Sequence, residues 1–130
     1  MRINLLRITT GCLAAALAFG ASNARAAAGP ASQTVKGYVI DSACTFTKQL
    51  KKPISSGCAV TCAKAGSPLV IQTVAGLIYL PISGDTPAAG QNDKLMEYAG
   101  KMVTVTGKVY SRGGSHAIVI EKIEAAAGSK

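Results

Sequence analysis

The chemistry that this sequence offers rests on three cysteines: Cys44, and then Cys58 and Cys62 four residues apart. Thiolates bind soft metal ions, and thiols in an oxidising compartment pair as disulfides. If Cys58 and Cys62 share one helix, they lie on one face with Cβ atoms about 5 to 6 Å apart. A disulfide needs about 3.5 to 4.5 Å between Cβ atoms, so joining these two would distort the helix. Two other arrangements stay open.

The first arrangement is a structural disulfide from Cys44 to either Cys58 or Cys62. Such a bond ties the end of a predicted strand to a predicted helix across a long loop. Closing a loop of about 15 residues stabilises a fold by roughly 3 kcal/mol. That is a large share of the total stability of a domain, which is typically about 5 to 15 kcal/mol. One thiol would then stay free.

The second arrangement places all three sulfurs around one ion. Two helical thiolates and a third from a strand end can converge on a tetrahedral or trigonal centre. Thiolate-rich sites suit Cu(I) and Zn(II). The candidate fourth ligands are His116, Asp41 and a water molecule.

Catalytic motifs are missing from the sequence. A hydrolase needs a nucleophile, a base and an acid that orients the base, but the chain has a single histidine. It contains no Gly-x-Ser-x-Gly elbow, no His-Glu-x-x-His motif and no Cys-x-x-Cys pair. We therefore expect a non-enzymatic binding or accessory module with a cysteine-based staple and no cofactor. The alternative is a thiolate protein that binds copper or zinc.

The N-terminus has the order of a secretory signal peptide. A basic start is followed by a short apolar stretch and by Ala24-Arg25-Ala26, an A-x-A cleavage site. Residues 1–26 are therefore the predicted leader, which contains Cys12, and the mature protein is expected in the periplasm or outside the cell. The apolar run is too short for a bilayer core, which needs about 20 residues, so no transmembrane segment is expected.

Charge and aromatic content limit the partners of the mature chain. Removing the leader leaves eleven basic and six acidic residues, a net charge of +5, which favours at most weak contact with an anionic surface. Nucleic acid is not expected, because export separates the two and base stacking needs several aromatics on one face. Three strand tyrosines are candidates for a ligand face: Tyr38, Tyr79 and Tyr110. The expected partner of this monomer is a protein or a small ligand.

The apolar pattern predicts the elements that position these residues. A strand from Thr34 is followed by a long loop at 45–57 and by a helix that Ser55 or Ser56 caps. Two hairpins, turning at 75–76 and 112–114, flank a helix that ends at Gly100. This order predicts an all-β domain over 34–124, a five-stranded Greek-key barrel of OB type. Residues 27–33 and 125–130 are expected to be flexible.

The segments GYVIDSAC, GCAVTCAKAGSPLVI, GLIYLP and YAGKMVTVTGKV carry a family resemblance. The chain resembles a family of uncharacterised small secreted bacterial proteins with a Gly-x-Val-x-Asp-Ser-x-Cys opening and a Cys-x-x-x-Cys helix. The resemblance covers about residues 35 to 124. It implies an OB-like fold and no established activity.

Overall fold

The computed structural model describes residues 30–53 and 55–127. The predicted leader at 1–26, with Cys12, lies outside these residues, and so do residues 128–130 of the predicted tail. Within the described ranges, no helix has both the length and the apolar character needed to cross a membrane.

Five strands close into a barrel in the order β1-β2-β3-β5-β4, in which β4 pairs back onto β1. Neighbouring strands are antiparallel except for β3 and β5, which are parallel. The fold is therefore the predicted five-stranded barrel of OB type. The strands are β1 (Ser32–Asp41), β2 (Leu69–Gln72), β3 (Ile78–Pro81), β4 (Met102–Arg112) and β5 (Ser115–Ala125).

Three short helices lie in two of the connections. The β1–β2 connection holds α1 (Ser42–Thr47) and α2 (Ser56–Lys64). The β3–β4 connection holds α3 (Asn92–Leu95), which continues as a 3-10 turn (Met96–Tyr98) and ends at Gly100 with a positive φ of 82°. These positions confirm the predicted α2 and the predicted helix before β4.

The core fills the barrel because alternate strand residues point inward. On β1 the buried positions alternate with more exposed ones from Val35 to Val39, and both of these valines belong to the core. Helix α2 covers one end of the barrel with two alanines. The other fully buried members of the core are Leu69, Ile71, Leu95, Ala99, Val103, Val105 and Ile118.

The pairing of the long β4–β5 hairpin is irregular at one point. The register between the two strands shifts at Thr106/Gly107, which marks a β-bulge. A Cβ atom at Gly107 would overlap the carbonyl oxygen of Val119. Glycine is required there because the two backbones approach too closely for any side chain.

Three predicted boundaries differ from the structure. Strand β1 begins at Ser32 and not at Thr34, because Ser32 pairs with Lys108 and its hydroxyl donates to Glu121 at 2.7 Å. At the other end β5 reaches Ala125, and the next residue is buried with its N–H bonded to the Met102 carbonyl at 2.9 Å. The flexible segments predicted at 27–33 and 125–130 are therefore too long. The loop predicted at 45–57 also contains the last turn of α1.

Candidate metal centre

The three cysteines meet where α1 and α2 pack together. The Sγ atoms of Cys44, Cys58 and Cys62 all lie within 4.8 Å of one another. Cys44 is 7% exposed, whereas Cys58 and Cys62 are half-buried. We call this group the three-cysteine cluster.

The structural disulfide from Cys44 to Cys58 or Cys62 is not formed, because all three cysteines are free thiols. A disulfide needs its sulfurs about 2.05 Å apart. Instead, the sulfur of Cys44 on α1 lies within 4.8 Å of the sulfurs of Cys58 and Cys62 on α2. The sequence spacing identified three residues that the fold brings together, and their sulfurs lie near one another without a bond.

Cys44 is positioned by the start of α1. Asp41 is the N-cap of this helix, and its Oδ1 accepts a hydrogen bond from the Cys44 N–H at 2.8 Å. The Thr45 hydroxyl donates to the Asp41 carbonyl at 2.8 Å. Asp41 itself is buried at the end of β1, where it pairs with Leu69. The barrel therefore fixes the cap, and the cap fixes the cysteine three residues later.

Cys58 occupies the same position in α2. The Ser55 hydroxyl accepts from the Cys58 N–H at 3.1 Å, which makes Ser55 the N-cap that the sequence predicted. Ala59 and Ala63 are buried against the barrel, and each follows one of the two cysteines. Successive residues of a helix point about 100° apart. The row of Ala59 and Ala63 therefore packs against the barrel, and the neighbouring row carries the thiols of Cys58 and Cys62.

The β3–β4 connection holds α2 in place at both ends. At the N-terminal end, Gly100 lies so close to Ser56 that an added Cβ would meet its Cα at 2.7 Å. At the C-terminal end, the Asn92 Nδ2 donates to the carbonyls of Ala63 and Ser67 at 3.3 and 2.9 Å. The Asn92 Oδ1 accepts from the Leu69 N–H at 2.8 Å. One side chain thus joins α2, its following loop and β2.

Burial and charge favour the protonated thiols of Cys44 and Cys62 in the metal-free protein. The pKa of Cys44 is raised to about 11, chiefly by burial and then by the neighbouring Asp41 carboxylate, while the Lys48 ammonium opposes the change. Burial and the charge of Asp41 also raise the pKa of Cys62. A bound ion must therefore displace protons, so its affinity must fall as the pH falls.

Neither predicted fourth protein ligand belongs to the cluster. Asp41 lies beside the thiols, but its Oδ1 caps α1. His116 lies on β5, where its Nδ1 is 2.8 Å from the Ser111 hydroxyl and its ring is 5.4 Å from that of Tyr79. The protein thus offers three soft sulfur donors.

The three predicted ligand-face tyrosines do not share one surface. Tyr79 packs against the core and contacts His116. Tyr38 is half-buried on β1 opposite Gln72 and Met102. Tyr110 is exposed and lies in a groove on the outside of the barrel.

The sequence analysis missed the role of Asp41 as a helix cap. The signal was present, because Asp41-x-x-Cys44 and Ser55-x-x-Cys58 repeat one pattern of a capping residue followed three positions later by cysteine. The contact between Gly100 and Ser56 had no such signal, since it joins distant parts of the chain.

Comparison of the chain with models of protein families, with curated proteins and with solved structures found no match.

Proposed function

We propose that this protein is an exported, non-enzymatic bacterial protein that binds one Cu(I) ion through Cys44, Cys58 and Cys62. The observation that carries the proposal is the convergence of three free thiols within 4.8 Å. An ion bonded to three sulfurs at about 2.3 Å spaces them roughly 4.0 Å apart in a plane. The sulfurs therefore need to approach one another by less than about 1 Å.

The donor set favours Cu(I) over Zn(II). Structural zinc sites are almost always four-coordinate, whereas the cluster offers three protein ligands. The neighbouring carboxylate of Asp41 has one oxygen bonded to the helix backbone and is not a member of the cluster. Three thiolates without a fourth protein donor suit a soft monovalent ion, and thiolates select Cu(I) among the first-row metals.

Export itself supports an occupied cluster. Neighbouring thiols in an oxidising compartment form disulfides by default, and three sulfurs at this separation would leave one unpaired. A bound ion holds all three as thiolates and accounts for the odd number of cysteines in the mature chain.

The uneven exposure of the sulfurs suits an ion that is exchanged. Cys44 is buried and anchored by Asp41, while Cys58 and Cys62 are half-buried on α2. An incoming ion or a competing ligand would reach the two more exposed cysteines, those of α2, first. We therefore propose that the protein carries or buffers Cu(I), and that the ion does not serve a purely structural role.

The test is an anaerobic titration of the reduced mature protein with Cu(I) in competition with a chromogenic Cu(I) chelator. We expect one equivalent to bind and all three thiols to become protected from alkylation. Cys58→Ser and Cys62→Ser should each weaken Cu(I) binding by more than about tenfold, since even residues that only orient ligands contribute 10- to 100-fold.

His116→Ala is the matched control, because it removes the remaining soft donor candidate without touching the cluster. It should bind Cu(I) as the unaltered protein does. Unequal damage from Cys58→Ser and Cys62→Ser, together with one alkylatable thiol in the periplasmic protein, would show a disulfide and refute the proposal. Tighter binding of Zn(II) than of Cu(I) would refute the choice of ion.

A further inference from the structure

A groove of about 610 Å³ runs along the outside of the barrel. It lies between α1 on one side and the β2–β3 and β4–β5 hairpins on the other. We call it the outer groove, and its volume is in the range of about 300 to 1,000 Å³ that holds small ligands. None of the three cysteines lines it. Its main lining residues are Phe46, Leu77, Leu80, Tyr110, Arg112 and His116.

The outer groove collects four of the five exposed large apolar side chains among the described residues, all except Val74. Phe46 is 68% exposed, and Leu77, Leu80 and Tyr110 are each more than two-fifths exposed. Exposed apolar residues scattered singly are ordinary, but a contiguous group marks a binding surface. Strand register brings Leu80 and Tyr110 to either side of Ala117, and Phe46 and Leu77 line the same groove.

The charge of the outer groove has one sign. Its lining contains no aspartate or glutamate, and its ionisable members are Arg112 and His116. Among the residues that the structure describes, Arg112 forms no salt bridge, whereas Lys122 pairs with Glu124 at 3.0 Å. His116 is held through its Nδ1 by Ser111. An unpaired guanidinium beside an apolar floor complements a ligand with an anionic head and an apolar body.

We propose that the outer groove binds a carboxylate-bearing acyl chain, with the carboxylate on Arg112 and the chain over Leu80, Tyr110 and Phe46. A single guanidinium matches the two oxygens of a carboxylate, which it binds as a planar fork. The acyl chain of the ligand would cover the apolar side chains that are exposed in the groove.

Dodecanoate is the probe. Calorimetry measures its binding to the mature protein at dodecanoate concentrations below those at which it forms micelles. It should bind one to one and about tenfold more tightly than dodecyltrimethylammonium, which has the same chain and the opposite charge. Shortening the chain should weaken binding by about fourfold for each methylene removed. Equal affinities for the two head groups would overturn the proposal.

Two variants test the two halves of the contact. Arg112→Gln should weaken dodecanoate binding about tenfold and abolish the preference over the cationic amphiphile. Leu80→Ser should weaken both amphiphiles. Lys36→Gln removes an exposed charge of the same sign on β1 and should change neither. An equal effect of Arg112→Gln and Lys36→Gln would show attraction by net charge alone and overturn the proposal.

Two further outcomes are decisive. If dodecanoate fails to bind but anionic phosphatidylglycerol vesicles sediment the protein, the groove is a membrane-docking surface and the proposal is wrong. If Cys58→Ser loses Cu(I) yet binds dodecanoate normally, the two sites are independent, as their separate linings require. Failure of either site therefore does not imply failure of the other.

Discussion

The barrel and the β1–β2 connection are built in different ways. In the barrel, β4 and β5 pair along nearly their whole lengths and enclose fully buried side chains such as Ile118 and Val105. In the connection, two helices of six and nine residues are held by capping hydrogen bonds, by two alanines of α2 that pack on the barrel core and by two contacts from the β3–β4 connection. The barrel contains most of the buried core, and the connection contains the three-cysteine cluster. The two should therefore respond to different changes.

The largest expected effect comes from the barrel. Ile118→Ala removes a fully buried side chain, which should lower the free energy of unfolding by about 2 to 5 kcal/mol. The loss should be the same with and without Cu(I), because Ile118 lies in the barrel core. Urea unfolding of both forms measures it. Ile118→Val, expected to cost about 0.5 to 1.5 kcal/mol, serves if the alanine variant does not fold. A loss that depends on Cu(I) would break the separation of the two regions.

An intermediate effect is expected where the two regions touch. Gly100 and Gly66 both have a positive φ, but only Gly100 faces a neighbour, the backbone of Ser56. Alanine at either position costs about 1 to 2 kcal/mol in backbone strain. Gly100→Ala should cost roughly 1 to 3 kcal/mol more through overpacking and should also weaken Cu(I) binding, because it displaces the first turn of α2.

Gly66→Ala is the matched control for strain, since nothing lies within 4 Å of its added Cβ. Urea unfolding and Cu(I) competition are measured on both variants. The comparison separates the effect of backbone strain, which both share, from the effect of the contact with Ser56, which only Gly100→Ala has. Equal Cu(I) affinity in the two variants would mean that the contact with Gly100 does not position the cysteines.

The smallest effect is a pH dependence of the metal-free protein. Folding raises the pKa of Cys44 from 9.0 to about 11, chiefly by burial. A raised pKa in the folded state means that the protonated thiol contributes stability, which is complete below pH 9 and is lost as the pH rises through 11. The stability difference between the unaltered protein and Cys44→Ala should therefore shrink over that range. Urea unfolding with reductant and chelator measures it, and a constant difference would contradict the prediction.

The sequence predicted the barrel better than the connection. Alternating apolar residues and the glycine turn at 113–114 indicated the β4–β5 hairpin correctly, because strand alternation is a local pattern. Helix α1 was missed, because a six-residue helix is too short to show an apolar period. The three cysteines were identified, but the choice between disulfide and cluster depends on how α1 and α2 pack. The position of α2 involves contacts with Gly100 and Asn92, which lie far along the chain.

The same two residues determine when the cluster can exist. Asn92 and Gly100 follow Cys62 in the chain, yet they hold both ends of α2. A chain that emerges from a membrane N-terminus first therefore delivers its thiols before the residues that arrange them. In the proposed exported metal-binding protein, the sulfurs would therefore pass through an interval in which they are ordinary reactive cysteines. Docking of the β3–β4 connection would end that interval, and metal loading would then be a late event in maturation.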